Sequence, residues 1–149
     1  MLFVTGIRLK PKTVTVVGLS FPNTRCEIQI NYENFGRTPA IITKIDRSWL
    51  LARMPPKTPV YKEISQLPTG TIVRGCEKTS FETTTYAIDL TPEERAAIDG
   101  HETSFWAYGF IEYRDFLGND HKTGFCGIWQ PYMGGRFLEA GPSNYIYQN

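Results

Sequence analysis

The chain has 149 residues and a formal net charge of +1, so it lies within the usual size range of one domain and has no basic excess. The near-neutral charge excludes the strongly basic surface that is typical of nucleic-acid binding. Aromatic residues make up 13% of the chain, a high share that is typical of a sheet-rich core. The three cysteines, Cys26, Cys76 and Cys126, are too few for a disulfide scaffold.

The first seven residues are apolar and are followed by Arg8, Lys10 and Lys12. Such a short segment cannot cross a bilayer, since a membrane helix needs about 20 residues. It also lacks the charged start and the small-residue cleavage site of a signal peptide. We therefore expect a soluble chain, with membrane attachment only through a hydrophobic segment that precedes Met1 in the natural gene.

Alternation of polar and apolar residues predicts strands over 12–17, 26–32, 40–51 and 81–90, with loops at 18–23 and 34–39. Within 40–51 the alternation predicts two faces, which comprise Ile42, Lys44 and Asp46 on one side and Ile41, Thr43, Ile45 and Arg47 on the other. Short strands are predicted at 60–64 and 71–73. Because proline cannot donate to a sheet ladder, the proline-rich residues 54–60 predict an edge or a crossover.

A short helix is predicted over residues 93–99. Thr91 is the expected N-cap, Pro92 takes the first helical position, and Glu94 completes a capping box. Gly100 is expected to end the helix. So short a helix needs tertiary packing, and we expect it to connect two sheets.

Residues 103–130 predict one long β-hairpin, with aromatic and β-branched residues on both sides of a turn at 116–120. The proposed register places Tyr113 opposite Thr123, Ile111 opposite Phe125, Gly109 opposite Gly127 and Ala107 opposite Trp129. The two facing glycines would leave a hollow, and Trp49 is the side chain expected to fill it.

The same register places Trp106, Tyr108 and Phe110 in a row on the opposite face, with Ile128 and Cys126 as partners. An exposed row of this kind can stack on sugar rings or anchor a protein partner, so these three residues are the candidate partner-binding site. The alternative, which we favour, is a core row beneath a second sheet, because apolar patches are usually buried.

After the hairpin, residues 132–136 predict a flexible break, followed by a last short strand or an extended tail. Six to eight strands with one connecting helix indicate an all-β fold. We predict an antiparallel two-sheet sandwich of the immunoglobulin-like type, in a single domain over residues 1–149. Cys26, Trp49 and Cys126 follow the cysteine–tryptophan–cysteine order of immunoglobulin domains, but their spacing is longer, and free cysteines are favoured over a bridge.

Asp115, Asn119, Asp120 and His121 cluster around the predicted turn and are candidate ligands for calcium or zinc. Their spacing matches no calcium loop, and zinc would need a further ligand such as His101. The interpretation that we favour is a pair between Asp115 and His121 that closes the mouth of the hairpin. We therefore expect no metal and no cofactor.

Catalytic motifs are absent from the sequence. It contains no Gly-x-Ser-x-Gly elbow, no His-Glu-x-x-His helix and no phosphate loop, and its two histidines both adjoin turns. Glu93 and Glu94 are adjacent on the predicted helix and are better explained as caps than as a catalytic pair. No catalytic residue is predicted, and the chain is not expected to be an enzyme.

Four short stretches carry a resemblance: residues 34–40 (NFGRTPA), 109–118 (GFIEYRDFLG), 122–126 (KTGFC) and 140–142 (AGP). In these the chain, from about residue 12 onward, resembles uncharacterised bacterial proteins that carry hydrophobic N-terminal segments followed by a β-rich domain. The resemblance implies a location in the bacterial cell envelope. It implies no activity, since its motifs are turns and hairpin features.

The sequence leaves three functions open. The leading one is a non-enzymatic interaction module with an unidentified protein partner and no nucleic-acid partner, as the soluble domain of an envelope-associated protein. The second is a carbohydrate-binding module that uses the aromatic row, which would need to be open to solvent. The third is a small metal-dependent hydrolase, which the metal content of the purified protein would test.

Overall fold

The computed structural model describes residues 7–8, 16–17, 25–34, 38–73, 81–131 and 136–149. The prediction of an all-β fold with one short helix is confirmed within these ranges. The elements are β1 (Ile7–Arg8), β2 (Val16–Val17), β3 (Arg25–Asn34), β4 (Ala40–Ala52), β5 (Ile64–Val73), β6 (Phe81–Asp89), α1 (Pro92–Asp99), β7 (Ser104–Arg114), β8 (Asp120–Gln130), β9 (Arg136–Glu139) and β10 (Tyr147–Gln148). The predictions for residues 12–15, 18–23, 35–37 and 132–135 lie outside the described ranges.

The strands form two antiparallel sheets. In the six-stranded sheet the order is β10-β8-β7-β4-β5, and β9 also pairs with β8. In the four-stranded sheet β6 runs along the length of β3, and the short strands β1 and β2 pair with the other side of β3. The helix α1 connects β6 of one sheet to β7 of the other, as predicted.

The start of α1 has the capping box that the sequence predicts. The Thr91 hydroxyl accepts a hydrogen bond from the Glu94 backbone N–H at 3.1 Å, and the Glu94 carboxylate accepts one from the Thr91 N–H at 2.8 Å. Ile98 is buried in an apolar cluster that also contains Ile30 and Phe105, so tertiary packing supports the short helix. Among the described residues, no helix is long and apolar enough to cross a membrane.

Alternation along β7 gives the six-stranded sheet two different faces. We call the side of Phe105, Ala107, Ile111 and Tyr113 the inner face, because these residues share apolar clusters with side chains of the four-stranded sheet. Ile30 of β3 and Ile88 of β6 belong to the first cluster and Tyr32 of β3 to the second. The side that carries Trp106, Tyr108 and Phe110 is the outer face.

The hairpin of β7 and β8 is confirmed, but its predicted register is wrong by two residues. Ile111 pairs with Thr123, Gly109 with Phe125 and Ala107 with Gly127. The strands run closer to the turn than expected because the Asp115 carboxylate organises it, accepting hydrogen bonds from the backbone N–H groups of Leu117 and Asn119. A slip of two residues is one full period of a strand, so the predicted faces are retained.

The predicted hollow between Gly109 and Gly127 is therefore not formed. A Cβ atom at Gly109 would overlap the backbone carbonyl oxygen of Asp46, so this glycine allows β4 to approach β7 closely. Trp49 packs instead against Phe105, with ring centroids 5.6 Å apart.

The predicted faces of β4 are wrong at its beginning. A β-bulge lies between Ile42 and Lys44, so Thr43 is an extra residue in the ladder. Ile42 pairs with Tyr113 and lies on the inner face, whereas Lys44 and Asp46 lie on the outer face. The bulge interrupts the alternation of faces at this point, which explains the wrong assignment.

The strand predicted at 60–64 is also wrong, because β5 begins only at Ile64 and continues through the predicted short strand at 71–73. As an edge strand, β5 tolerates Pro68. The connection between β4 and β5, residues 53–63, is named the proline strap, since it contains Pro55, Pro56 and Pro59.

Candidate functional site

The three side chains of the predicted partner-binding row, Trp106, Tyr108 and Phe110, lie on the outer face, and all three are buried. Trp106 is 3% exposed, Tyr108 2% and Phe110 3%. Part of the cover comes from the proline strap and from residues 140–146, with which Trp106 and Tyr108 share a cluster. A partner or a sugar would reach the rings only after this cover had moved.

The polar atoms of the row reach backbone carbonyls at the end of β4 and on the strap. Trp106 Nε1–H donates to the carbonyl oxygen of Ala52, the last residue of β4, at 3.0 Å, and the Tyr108 hydroxyl donates to that of Val60 on the strap at 2.7 Å. From the C-terminal segment, the Tyr145 hydroxyl donates to the Pro56 carbonyl at 2.9 Å. Tyr108 and Tyr145 therefore bury their apolar rings and use their hydroxyl groups on the strap backbone.

Ring contacts join these residues into one surface. Tyr108 and Tyr145 meet edge to face with centroids 5.2 Å apart, and Tyr61 of the strap meets Phe110 in the same way at 4.8 Å. Lys122 Nζ lies 3.8 Å from the centroid of the Phe110 ring, a cation–π contact.

A buried carboxylate holds the end of the strap against β4. Asp46 is 0% exposed and accepts hydrogen bonds from the Ser48 N–H, the Ser48 hydroxyl and the Glu63 N–H, each at 3.1 Å. The Ser48 hydroxyl in turn accepts one from the Lys62 N–H at 2.8 Å. Burial raises the pKa of Asp46 above its usual range, which its hydrogen bonds only partly oppose.

Beyond the row, the outer face becomes charged. Glu112 lies between Lys44 and Lys122, with N–O distances of 3.1 and 3.5 Å, and Arg114 contacts Asp120 at 2.8 Å. These residues border a pocket of about 410 Å³, lined by Thr43, Glu112, Arg114, Asp120, His121, Lys122 and Asn149. Both signs of charge alternate along it, so the pocket favours neither an anion nor a cation.

The predicted pair at the mouth of the hairpin is confirmed. His121 Nε2 lies 3.0 Å from Asp115 Oδ2, and the Asn119 side chain donates to the same oxygen. The hydrogen bond with His121, followed by those from Asn119 and Leu117, lowers the pKa of Asp115 well below its usual range. Among the described residues, no group of three or more His, Cys, Asp and Glu is placed to hold a metal ion.

Exposed apolar side chains lie at the hairpin turn, which the sequence predicts only as a connection between two strands. Phe116 is 48% exposed and Leu117 65%. Ile41 and Ile72 pair across β4 and β5 next to Arg114 at the same end of the sheet, and they are 38% and 62% exposed. These four residues are named the apolar end. Its sequence signal was two large apolar residues inside a turn.

Cys126 does not form the disulfide bridge packed against Trp49 that the immunoglobulin-like order of Cys26, Trp49 and Cys126 would require. Cys126 is a free thiol on the outer face, whereas Trp49 lies opposite Ala107 and packs against the inner-face residue Phe105. Burial raises the pKa of Cys126 to about 12. A thiol of this kind is inert.

The two glutamates at the start of α1 and the two histidines lie at a helix end and beside turns. Glu94 caps α1, as predicted, and Glu93 lies in the same first turn. His101 follows α1 with a positive φ of 59°, and His121 lies in β8 at the hairpin mouth.

The sequence was compared with models of known protein families and with curated proteins, and neither comparison gave a match.

Proposed function

We propose that the chain is a non-enzymatic protein-interaction module that binds its partner through the apolar end. The supporting observation is the exposure of Phe116, Leu117, Ile41 and Ile72 at one end of the six-stranded sheet. Large apolar side chains grouped on a surface commonly mark an interaction site. The ion pair of Arg114 and Asp120 lies beside them and supplies the polar rim that such sites have.

We further propose a two-sheet sandwich of the immunoglobulin-like type as the architecture of this module. Two antiparallel sheets with side chains in shared apolar clusters support it, as does the helix that connects the sheets. Immunoglobulin-like sandwiches present their loops at two ends, and the apolar end would be one of these.

The soluble domain of an envelope-associated bacterial protein is the setting that we propose. Its support is the resemblance of the four sequence stretches and one feature of the topology. β1 pairs with Glu33 and Asn34, and the Asn34 side chain donates to the Val73 carbonyl next to Ile72. A hydrophobic segment placed before β1 would therefore hold the apolar end near a membrane surface. Reading the natural gene upstream of Met1 and fractionating the native host's cells test this setting.

The binding proposal is tested with a double variant, Phe116→Ser with Leu117→Ser. Met54→Ser is the matched control, because Met54 is 69% exposed but lies on the proline strap. Purified wild type, double variant and control are each cross-linked to partners in an extract of the native host. We expect the partner to be lost with the double variant and kept with the control. A partner retained equally by all three proteins would refute the apolar end as the binding surface.

A further inference from the structure

We propose that the outer face is a binding groove for proline-rich peptides, which the chain's own proline strap occupies. The groove consists of Trp106, Tyr108 and Phe110 on β7 together with Tyr145 from the C-terminal segment. This inference goes beyond the proposed function, because it concerns a different surface from the apolar end.

The first argument is the chemistry of the contacts. The Tyr108 and Tyr145 hydroxyls of the groove donate to the strap carbonyls of Val60 and Pro56, and the neighbouring Asn144 amide donates to that of Lys57. Proline-rich segments leave their carbonyls free for such donors, since extended polyproline chains make no internal hydrogen bonds. Aromatic-lined grooves are the usual receptors of segments with the pattern Pro-x-x-Pro.

The strap carries that pattern. Residues 56–59 read Pro-Lys-Thr-Pro, with a further proline at 55. The chain bends at Lys57 and Thr58, so two short proline-containing pieces lie on either side of the bend. The Pro56 carbonyl meets Tyr145 before the bend, and the Val60 carbonyl meets Tyr108 after it.

The second argument is which strap residues are buried. Tyr61 packs on the rings of Tyr108 and Phe110, and Pro55 is buried, whereas Met54 is 69% and Val60 54% exposed. The strap thus meets the groove through one aromatic ring and its backbone carbonyls, while its aliphatic side chains stay exposed.

The third argument is that hydrogen bonds outside the groove also hold the strap. The backbone N–H groups of Lys62 and Glu63 donate to the side chains of Ser48 and Asp46 on β4. Both ends of the strap also continue into paired strands. A ligand tethered in this way acts at an effective concentration of about millimolar, so a free peptide competes poorly until the strap is weakened. The occupant that fits the groove in trans is therefore a proline-rich peptide segment of a partner protein.

The test uses a synthetic peptide with the sequence of residues 52–61 and a control peptide in which its three prolines are alanine. The receptor is a variant with Pro55→Gly, Pro56→Gly and Pro59→Gly, which keeps the length of the strap and removes its prolines. Binding is measured by calorimetry and by intrinsic tryptophan fluorescence. We expect the variant to bind the proline peptide about tenfold or more tighter than wild type does, because the tethered competitor is weakened.

Two further measurements identify the groove as the binding site. Adding Tyr145→Phe to the opened variant should weaken peptide binding about fivefold, since one hydrogen-bond donor is removed. Phe116→Ser with Leu117→Ser should leave peptide binding unchanged, so this proposal and that of the apolar end can fail separately. A folded opened variant that binds neither peptide, or binds both equally, would overturn the proposal.

If the triple variant does not fold, it is replaced by a chain that keeps all three prolines and is cut once within the strap. Lys57 and Thr58 are exposed, so a protease site inserted between them can be cut in the folded protein. Cutting leaves every groove residue in place and separates the two halves of the strap. Tighter binding of the proline peptide after cutting supports the groove, and equal affinity before and after cutting contradicts it.

Discussion

The two faces of the six-stranded sheet are covered in different ways. On the inner face, Phe105 and Ile111 belong to apolar clusters that also contain residues of the four-stranded sheet. On the outer face, Tyr108 and Tyr145 are as deeply buried but donate hydrogen bonds to the non-repetitive proline strap. Equal burial thus comes from apolar packing on one side and from packing with specific hydrogen bonds on the other.

This difference separates stability from specificity. Apolar burial is non-directional, so the inner face can hold two sheets together without fixing single contacts. Hydrogen bonds to particular carbonyl oxygens form only when the strap lies in one position. Each of them contributes only about 1 kcal/mol net to stability. We therefore expect the inner face to carry most of the stability and the outer cover to be the part that can open.

The largest effect should come from the inner face. Phe105→Ala removes a ring that contacts both Trp49 and Phe137, with centroids 5.6 Å away in each case. The cavity should lower the free energy of unfolding by about 3–5 kcal/mol. Urea denaturation measures it. A loss below that of any outer-face variant would reverse the comparison.

On the outer face, Asp46→Ala should cost about 1–3 kcal/mol, because the N–H groups of Ser48 and Glu63 lose their buried acceptor. Hydrogen exchange should increase first at the amides of Lys62 and Glu63 while the inner-face amides stay protected. Faster exchange throughout the sheet would show that the cover does not open by itself.

Thr91→Ala changes neither face of the six-stranded sheet, so its effect serves as a reference for the variants of the two faces. It removes the acceptor of the Glu94 N–H at the start of α1, which should cost about 1 kcal/mol. A thermal unfolding midpoint equal to that of wild type would mean that the capping box contributes nothing to stability.

The last comparison concerns two aspartates whose pKa values move in opposite directions, so that their contributions to stability change with pH. The pKa of Asp115 is lowered, so its carboxylate stabilises the fold above the unfolded pKa of about 4, and this contribution is lost on acidification. The pKa of Asp46 is raised, so its favourable contribution is present below about pH 4 and is lost as pH rises.

Denaturation curves of Asp115→Asn and Asp46→Asn at several pH values check this pair. The first variant should lose less stability than wild type on acidification below about pH 4. Relative to wild type, the second should gain stability as the pH rises above about 4. Parallel pH profiles for both variants and wild type would contradict the two directions.

Local signals in the sequence predicted the elements well. The capping box at Thr91 and the turn residues around Gly118 act over a few residues, so the helix and the hairpin could be found without knowing the rest of the chain. Alternation also placed Trp106 and Tyr108 on one face, because a register error of two residues preserves the faces.

Features that polar and apolar alternation does not encode were missed. The Asp115 turn sets the register through local hydrogen bonds from its carboxylate to backbone N–H groups. The bulge at Thr43 exchanges the faces of β4 without a glycine to mark it. The cover of the aromatic row could not be derived either, since the strap lies about 50 residues before Trp106 in the chain and alternation does not show which strand it covers. An aspartate within an apolar strand was the one available signal for Asp46.

Cys126 makes the outer cover measurable by its chemistry. Its thiol lies beneath Gly141 and beside Tyr145, and with a pKa of about 12 it holds only a trace of thiolate near neutral pH. Alkylation at this position should therefore wait for the cover to lift, which would both expose the sulfur and restore its ordinary acidity. The labelling rate of Cys126, followed by mass spectrometry, therefore reports how often the outer face opens in the protein without substitutions.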